Sequence, residues 1–496
     1  MILPRWILSP VLLALAGLGA GLGQSPWGLW YLALPSYALG LWLLARATRP
    51  ALAGWWMGAA HFALTLHWIT DPFFVDAAAT GWLAPVALLS LAGGMAIFWG
   101  AAGWAGRRLG GGALGIALAL AAAELTRAYI FTGFPWALPG HILIPSPALP
   151  SAAVFGAHGL GLCVLLGAGL VAARKTVPAA FGLALWALPF GVAAVLSPAP
   201  KAGPDAPVVR LVQPNAPQHQ KWDPDWIGVF FRRGLAATAA PITGPEPALT
   251  VWPETSLPEL LRYSEDVRRM IATATGGTPI LIGVQRYGED GAPRNSAALL
   301  TGPEGEVVQV QDKHRLVPFG EYMPLPAVAE ALGLGPLASQ LAGRYAPGDG
   351  PALIEVPGIG PVLSMICYEA IFPQDIRRVA RPVAILHLTN DAWFGTFAGP
   401  RQHLALARLR AAESGLPLLR AANTGISAAI DARGTVLAAL GLSQTGHLDV
   451  ALPPALRPTL YTMTGDWAAL LLILLCGGGI WSLSRRKPVD GTGEGQ

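Results

Sequence analysis

The sequence predicts a chain of two parts, an α-helical membrane domain and a soluble, layered α/β domain, on three observations. Of 496 residues, 53% are hydrophobic and 12% are charged, where a soluble globular chain carries about 25% charge; the mean hydropathy is +0.48. The charge is uneven, with 11 of the 62 charged residues in positions 1–200. From about Ala206 the long apolar runs give way to short β-branched runs separated by turns. The composition excludes a disordered protein and argues against an ordinary soluble enzyme. A scattered net charge of +4 gives no footprint for nucleic acid. Cys163 and Cys476 lie in apolar runs and only Cys367 lies in the soluble part, so no disulfide framework is expected.

A bilayer core takes roughly 20 apolar residues per helix. Seven such runs precede the soluble part: Trp6–Gly23, Trp27–Ala45, Ala51–Ile69, Trp82–Ala105, Ala113–Ile130, Ala152–Ala173 and Ala180–Leu196. An eighth, Trp467–Leu483, follows it. The first run also has the Arg5 and apolar stretch of a signal peptide, but no clear A-x-A site, and further runs follow at once. Basic residues favour the cytoplasmic side. Arg5, Arg46 with Arg49, Arg107 with Arg108, Arg174 with Lys175, and Arg485 with Arg486 and Lys487 fall at alternate connections, while the short intervening ones, such as Gln24–Pro26 and Thr70–Gly81, carry no Lys or Arg. Both termini are therefore expected in the cytoplasm and the large domain outside. The expected organisation is a membrane domain over 1–200, a catalytic domain over 206–452, an eighth span over 467–484 and a cytoplasmic tail over 485–496. Within the fifth run Glu124 and Arg127 share a helix face, and Gly133 and Pro135 then end the helix. This reads either as a satisfied ion pair with an aromatic anchor or, since intramembrane charges mark function, as part of a headgroup site.

In the soluble part Val208–Gln213, Ala248–Trp252, Pro279–Val284 and Val383–Leu388 read as buried strands, and Leu257–Ala274 and Arg401–Ser414 as helices. Asn295–Val310 and Ala352–Ile366 read as hairpins, followed by strands over Leu416–Arg420, Ile426–Ile430 and Thr435–Ala439. Strands mixed with helices in this order suggest a layered α/β sandwich.

Reactive groups collect where such strands end. Pro253 stops a strand and leaves Glu254 at its tip; Lys313 follows a hairpin strand; Cys367 ends an apolar strand and is followed by Tyr368 and Glu369. A thiol, a carboxylate and an ammonium together suit acyl transfer, as nucleophile, proton carrier and oxyanion partner. The chain has five Lys against 28 Arg, so a Lys here weakly marks a place where a compact ammonium serves better than a guanidinium. Each residue also has an ordinary explanation. Cys367 fits a small core residue, Lys313 a solvated hairpin position, and Glu254 a helix start. His314 or His403 beside the thiol would make a Cys–His pair, which nothing in their spacing favours. No residues have metal-ligand spacing and no phosphate loop follows a strand, so no metal or cofactor is expected.

Trp252-Pro-Glu254, Lys313 and Cys367-Tyr-Glu369, in that order, resemble the nitrilase (carbon–nitrogen hydrolase) superfamily. Gln213–Gln218, Lys221–Pro224, Leu316–Tyr322, Leu388–Gly395, Arg420–Gly425 and, in the membrane half, Thr132–Trp136 narrow the resemblance to its bacterial apolipoprotein N-acyltransferase family. The resemblance implies an αββα sandwich with seven spans before it and one after. It implies Cys367 as nucleophile, Glu254 as general base and acid, Lys313 and the Tyr368 N–H as oxyanion donors, and Glu321 as the carboxylate that positions Lys313. Trp222, Tyr368 and Glu369 are expected to flank the pocket. It further implies a monomeric inner-membrane enzyme with its catalytic domain in the periplasm. In a ping-pong cycle the sn-1 acyl chain of a phospholipid, typically phosphatidylethanolamine, passes to the α-amine of a diacylglyceryl cysteine on an apolipoprotein. Met323 and Ala128-Tyr129 depart from the family pattern without touching the chemistry. Trp393, Phe394, Phe397 and the stretch Leu325–Leu337 are expected to meet acyl chains, with a lid around Pro324–Gly350. The competing readings are a membrane-tethered amidase acting on a small amide, and a transporter or receptor whose soluble part is a binding module.

Overall fold

A computed structural model describes residues 5–242, 244–324 and 345–485 and divides the chain into two compact units. The stretches 325–337 and most of 324–350, where acyl contacts and a lid were expected, lie outside the described residues, as does the tail beyond 485.

The first unit takes residues 1–70, 83–196 and 464–496. Its main helices are Arg5–Gly21, Trp30–Arg46, Pro50–Thr65, Ala84–Leu109, Ala113–Tyr129, Ala152–Ala172, Thr176–Val195 and Trp467–Arg485, each on one of the predicted apolar runs. The stretches ending at Leu109, Ala172, Val195 and Arg485 are long and apolar enough to cross a membrane; the other four have 16 or 17 residues. Small residues let the helices approach backbone to backbone. A Cβ at Gly54 would sit 2.3 Å from the Trp99 carbonyl oxygen, and one at Gly17 2.1 Å from that of Met57.

The Glu124–Arg127 pair forms at 2.5 Å with both side chains buried. Trp99 Nε1 donates to Glu124 (2.8 Å), while Arg127 donates to the carbonyls of Phe134 (2.6 Å) and Trp136 (2.9 Å). These bonds pin the 131–136 turn to its helix.

The second unit takes residues 71–82 and 197–463 and contains two six-stranded sheets. The strands are β1 (Val208–Gln213), β2 (Pro247–Val251), β3 (Ile280–Tyr287), β4 (Pro293–Thr301), β5 (Glu306–Asp312), β6 (Leu353–Val356), β7 (Gly360–Ile366), β8 (Ala384–Thr389), β9 (Leu418–Ala422), β10 (Ser427–Ile430), β11 (Val436–Leu440) and β12 (Gly446–Ala451). Their orders are β12-β1-β2-β3-β4-β5 and β11-β10-β9-β8-β7-β6. In each sheet the central strands run parallel, β1–β2–β3 and β7–β8–β9, flanked by antiparallel ones.

Alternation along the strands makes four layers. Leu211, Val251, Leu281 and Leu299 of one sheet meet Val362, Leu386, Leu419 and Ala429 of the other in a shared core. The opposite faces carry helices. Ala237 of helix Pro224–Thr238 and Ile271 of helix Glu265–Thr275 cover Ile280 and Ile282; Ala407 and Ala411 of helix Gly399–Ser414 cover Leu363, Met365 and Leu418. The result is the expected αββα sandwich.

Three elements differ from expectation. The helix expected over Leu257–Ala274 begins only at Glu265, because Leu257 and Leu261 pack into the outer core from the turn that precedes it. Helix Pro224–Thr238, opened by Asp223 accepting from the Asp225 N–H, was not anticipated. Nor was β12, which leaves the strand succession of the second sheet to close the first one against β1.

Candidate active site

Glu254, Lys313 and Cys367 each follow the last residues of a strand, β2, β5 and β7, and the two central parallel strands β2 and β7 deliver the acid and the thiol at their carboxyl ends. Open α/β sheets put their ligand sites there. All three side chains are buried, with Glu254 6%, Lys313 1% and Cys367 4% exposed. Lys313 Nζ lies 2.9 Å from Glu254 Oε1 and 2.8 Å from Glu321 Oε1. The remaining Glu254 oxygen accepts from the Asn390 N–H at 3.0 Å. Glu254 thus caps no helix and Lys313 is no solvated hairpin residue: the two are one buried ion pair, which a fold keeps only with good geometry and satisfied neighbours.

Glu321 holds Lys313 because it is itself held, accepting from the Val317 N–H (2.7 Å) and from Asn295 Nδ2 (2.8 Å). Burial alone would lower the Lys313 pKa; Glu254 and Glu321 outweigh it and hold it well above the ordinary lysine value, so the group is an ammonium at every physiological pH. Burial, then the Glu254 carboxylate, pushes the Cys367 thiol up, while Lys313 and a hydrogen bond with Thr389 pull the other way. The thiol is therefore protonated at rest and needs a base at the moment of attack. Of the three residues singled out in the sequence, Glu254 and Lys313 are in direct contact, and both charges act on the Cys367 thiol.

Cys367 has a positive φ of 51°, which costs a non-glycine residue roughly 1–2 kcal/mol. Glu369 supports this turn. One of its oxygens accepts from the Ile366 N–H (2.7 Å), the other from the His314 N–H (2.7 Å), and His314 Nδ1 lies 2.6 Å from it. Glu369 is fully buried, and its carboxylate ties the turn after β7 to the segment after Lys313. His314 also contacts Asp375 (3.0 Å), which pairs with Arg315. Burial would lower the His314 pKa, but Asp375 and Glu369 raise it to about 9.

Tyr368 is buried and packs edge-on against Phe372 at 5.1 Å. Trp222 is 43% exposed and, with Lys221, lines a cavity of about 30 Å³ beside the Glu254 turn. Of the apolar residues after Asp391, Trp393 and Phe397 are exposed, whereas Phe394 packs against the core between the sheets.

Further residues shape the site in ways the sequence reading did not assign, Gly283 and His387 being wholly new to it. Lys221 is a second buried amine, its Nζ 3.3 Å from the Glu254 carbonyl oxygen, with its pKa lowered by burial to about 8. Gly283 on β3 admits the Glu254 turn: a Cβ there would lie 2.4 to 2.6 Å from backbone atoms of Pro253, Glu254 and Thr255. A glycine inside an apolar strand signals such an approach. His387 and His403 both reach the Cys367 carbonyl oxygen, at 3.0 and 3.2 Å. The motif residues Ala216, Asn390 and Asn423 knit the turns together, Asn423 Nδ2 donating to the Ala216 carbonyl (2.7 Å) and to Asn390 Oδ1 (2.9 Å).

Residues 229–459 match the family model for carbon–nitrogen hydrolases, and residues 16–170 match that for the apolipoprotein N-acyltransferase N-terminal domain. The apolipoprotein N-acyltransferase of Caulobacter vibrioides is 38% identical over 94% of this chain and 93% of its own length. The chain belongs to the apolipoprotein N-acyltransferase family. Relatives of the same name from Sinorhizobium medicae and Brucella melitensis are 35% and 37% identical, over 90% and 93% of this chain and 90% and 92% of theirs. Among solved structures, an amidase from Nesterenkonia sp. aligns at 19% identity over 55% of this chain and 98% of that one, with a TM-score of 0.37. As an N-acyltransferase the chain is an enzyme of the nitrilase superfamily whose apolar helices fit a membrane protein, and its family implies lipid and lipoprotein substrates.

Proposed function

We propose that the chain transfers an acyl group from phospholipid to lipoprotein in two half-reactions on Cys367. In the first, Glu254 takes the thiol proton as sulfur attacks the sn-1 ester carbonyl; the tetrahedral oxyanion faces the Lys313 ammonium and the Tyr368 N–H. Collapse breaks the ester C–O bond, and Glu254 returns the proton to the departing alkoxide, releasing lysophospholipid and leaving a thioester. In the second, the neutral α-amine of a diacylglyceryl cysteine attacks the thioester carbonyl. Glu254 accepts a proton from the nitrogen and gives it to the leaving thiolate, which restores the enzyme.

The observation that carries this reading is the buried Lys313–Glu254 pair at 2.9 Å, with both charges felt at the Cys367 sulfur. Glu254 serves both directions of proton transfer because it is held at both oxygens. A donor with an ethanolamine headgroup, a monomeric enzyme, and Trp222 and Tyr368 beside the substrate complete the proposal.

The alternation of basic connections supports eight spans, with the domain over 206–452 between the seventh and eighth. Both termini then lie in the cytoplasm and the catalytic domain in the periplasm of the bacterial inner membrane. Intact-mass analysis of protein incubated with labelled phospholipid tests the chemistry. A hydroxylamine-labile acyl group on Cys367, with stoichiometric lysophospholipid, is expected. A wild-type chain that stays unacylated while hydrolysing small amides would be an amidase instead.

A further inference from the structure

Against the carbonyl of the nucleophile turn lies a buried group of two imidazoles, a carboxylate and a guanidinium that the two half-reactions leave without a task. His387, Asp391, His403 and Arg420 are each at most 1% exposed. The protons of His387 are fixed by its neighbours. Arg420 Nη1, which can only donate, lies 2.9 Å from His387 Nδ1, so that nitrogen carries the lone pair. The proton is then on Nε2, which stands 3.0 Å from the Cys367 carbonyl oxygen and donates to it. Arg420 is kept in place by Asp391, which accepts from its other terminal nitrogen.

His403 contributes less to that carbonyl. Its Nδ1 lies 2.9 Å from Asp391 Oδ1 and donates there, so its Nε2, 3.2 Å from the same carbonyl oxygen, is a donor only in the doubly protonated ring. Burial and Arg420 lower its pKa. Burial and Arg420 likewise keep His387 neutral, which is the form its two hydrogen bonds require.

The carbonyl of Cys367 and the N–H of Tyr368 belong to one planar peptide unit. A hydrogen bond donated to the oxygen fixes the plane and draws electron density from the nitrogen, which strengthens the N–H as a donor on the other side; chained hydrogen bonds polarise one another in this way. We propose that His387 is a positioning residue for the oxyanion hole, orienting and polarising the Cys367–Tyr368 peptide through its carbonyl so that the Tyr368 N–H meets both tetrahedral intermediates. This rests on the assignment of Cys367 as nucleophile and of that N–H as oxyanion donor. The buried charges Asp391 and Arg420 serve it by holding one tautomer of the ring.

Full-length protein in phospholipid nanodiscs tests it, with His387→Leu, which removes the donor, and His387→Gln, whose amide offers an oxygen to Arg420 and an N–H to the carbonyl. Each is acylated with a donor carrying a ¹³C carbonyl. His387→Leu is expected to slow thioester formation and amine transfer alike, by about tenfold to a hundredfold, less than outright loss of an oxyanion donor (about 10²–10³), with KM for the donor unchanged. The thioester C=O stretch, read by infrared difference on the acylated fraction, should move to higher wavenumber, and His387→Gln should recover rate and band together. Misfolding alone lowers the acylated fraction and leaves the band of the remainder in place. An unmoved band in the slow variant, or wild-type rates in His387→Leu, overturns the proposal. Should the leucine variant not fold, His387→Asn, one bond too short to reach, replaces it with the same expected direction. A wild-type chain that forms no thioester sinks the nucleophile assignment and this inference together; a wild-type chain that does, with variant bands unshifted, sinks this inference alone.

Discussion

At the scale of single residues, the site depends on where a charge sits more than on its sign. Lys313→Arg keeps the positive charge between Glu254 and Glu321 but spreads it over a planar fork that cannot occupy the space of Nζ. We expect that variant to fold and to lose about 10²-fold or more of its acylation rate, the scale for removing one oxyanion donor; single-turnover thioester formation measures it, and near-wild-type rates would refute the oxyanion role of Lys313. Glu321→Gln leaves the ammonium with one carboxylate instead of two, and should fall in rate while still forming the Cys367 adduct. Glu254, Lys313 and Cys367 were legible in the sequence because each follows a strand and is a reactive group at its end, whereas Glu321 follows no strand and was reached only through the family resemblance. Glu369 was legible as a site residue but not in its role. Three backbone N–H groups surround its carboxylate, two of them from 54 or more residues away in the chain, and no local pattern reports a partner that distant.

At the scale of elements, turns matter as much as strands. Gly283→Ala places a methyl within 2.6 Å of three backbone atoms of the Glu254 turn, and backbone cannot yield as a side-chain end does. A destabilisation of about 1–3 kcal/mol is expected for such overpacking, with acylation lost beyond what the melting shift explains; calorimetry beside the adduct assay separates the two. The link between the turns after β5 and β7 is pH-dependent. His314 has a folded pKa raised from 6.5 to about 9, so its contribution is fully present below pH 6.5 and is lost as pH rises through 9. The melting temperature should decline over that window, and His314→Gln should flatten the decline; parallel curves would deny the linkage. Strands with an apolar period were readable, including both hairpins. β12 was not, since Gly446–Ala451 mixes His447 and Asp449 with Leu448, Val450 and Ala451 and buries none of them fully. Only β1, more than 230 residues earlier, makes it a strand.

At the scale of the whole molecule, the apolar runs were readable because lipid demands length and hydropathy that few soluble helices have. A reporter fused after Pro198 should behave as periplasmic and one after Lys487 as cytoplasmic; the reverse pattern would refute the orientation. The register of β1 against β12 has a consequence for how such a chain is put together. Val208 stands opposite Ala451, and facing residues of an antiparallel ladder are about 5 Å apart. The polypeptide therefore enters and leaves the soluble module through neighbouring doors. A module with adjoining ends can be inserted into, or cut out of, a connection without stretching the host on either side. Replacing 208–451 by a short Gly/Ser bridge should leave the helical half able to accumulate in membranes on its own, and the excised module, closed at its own seam, is a natural candidate for study in water.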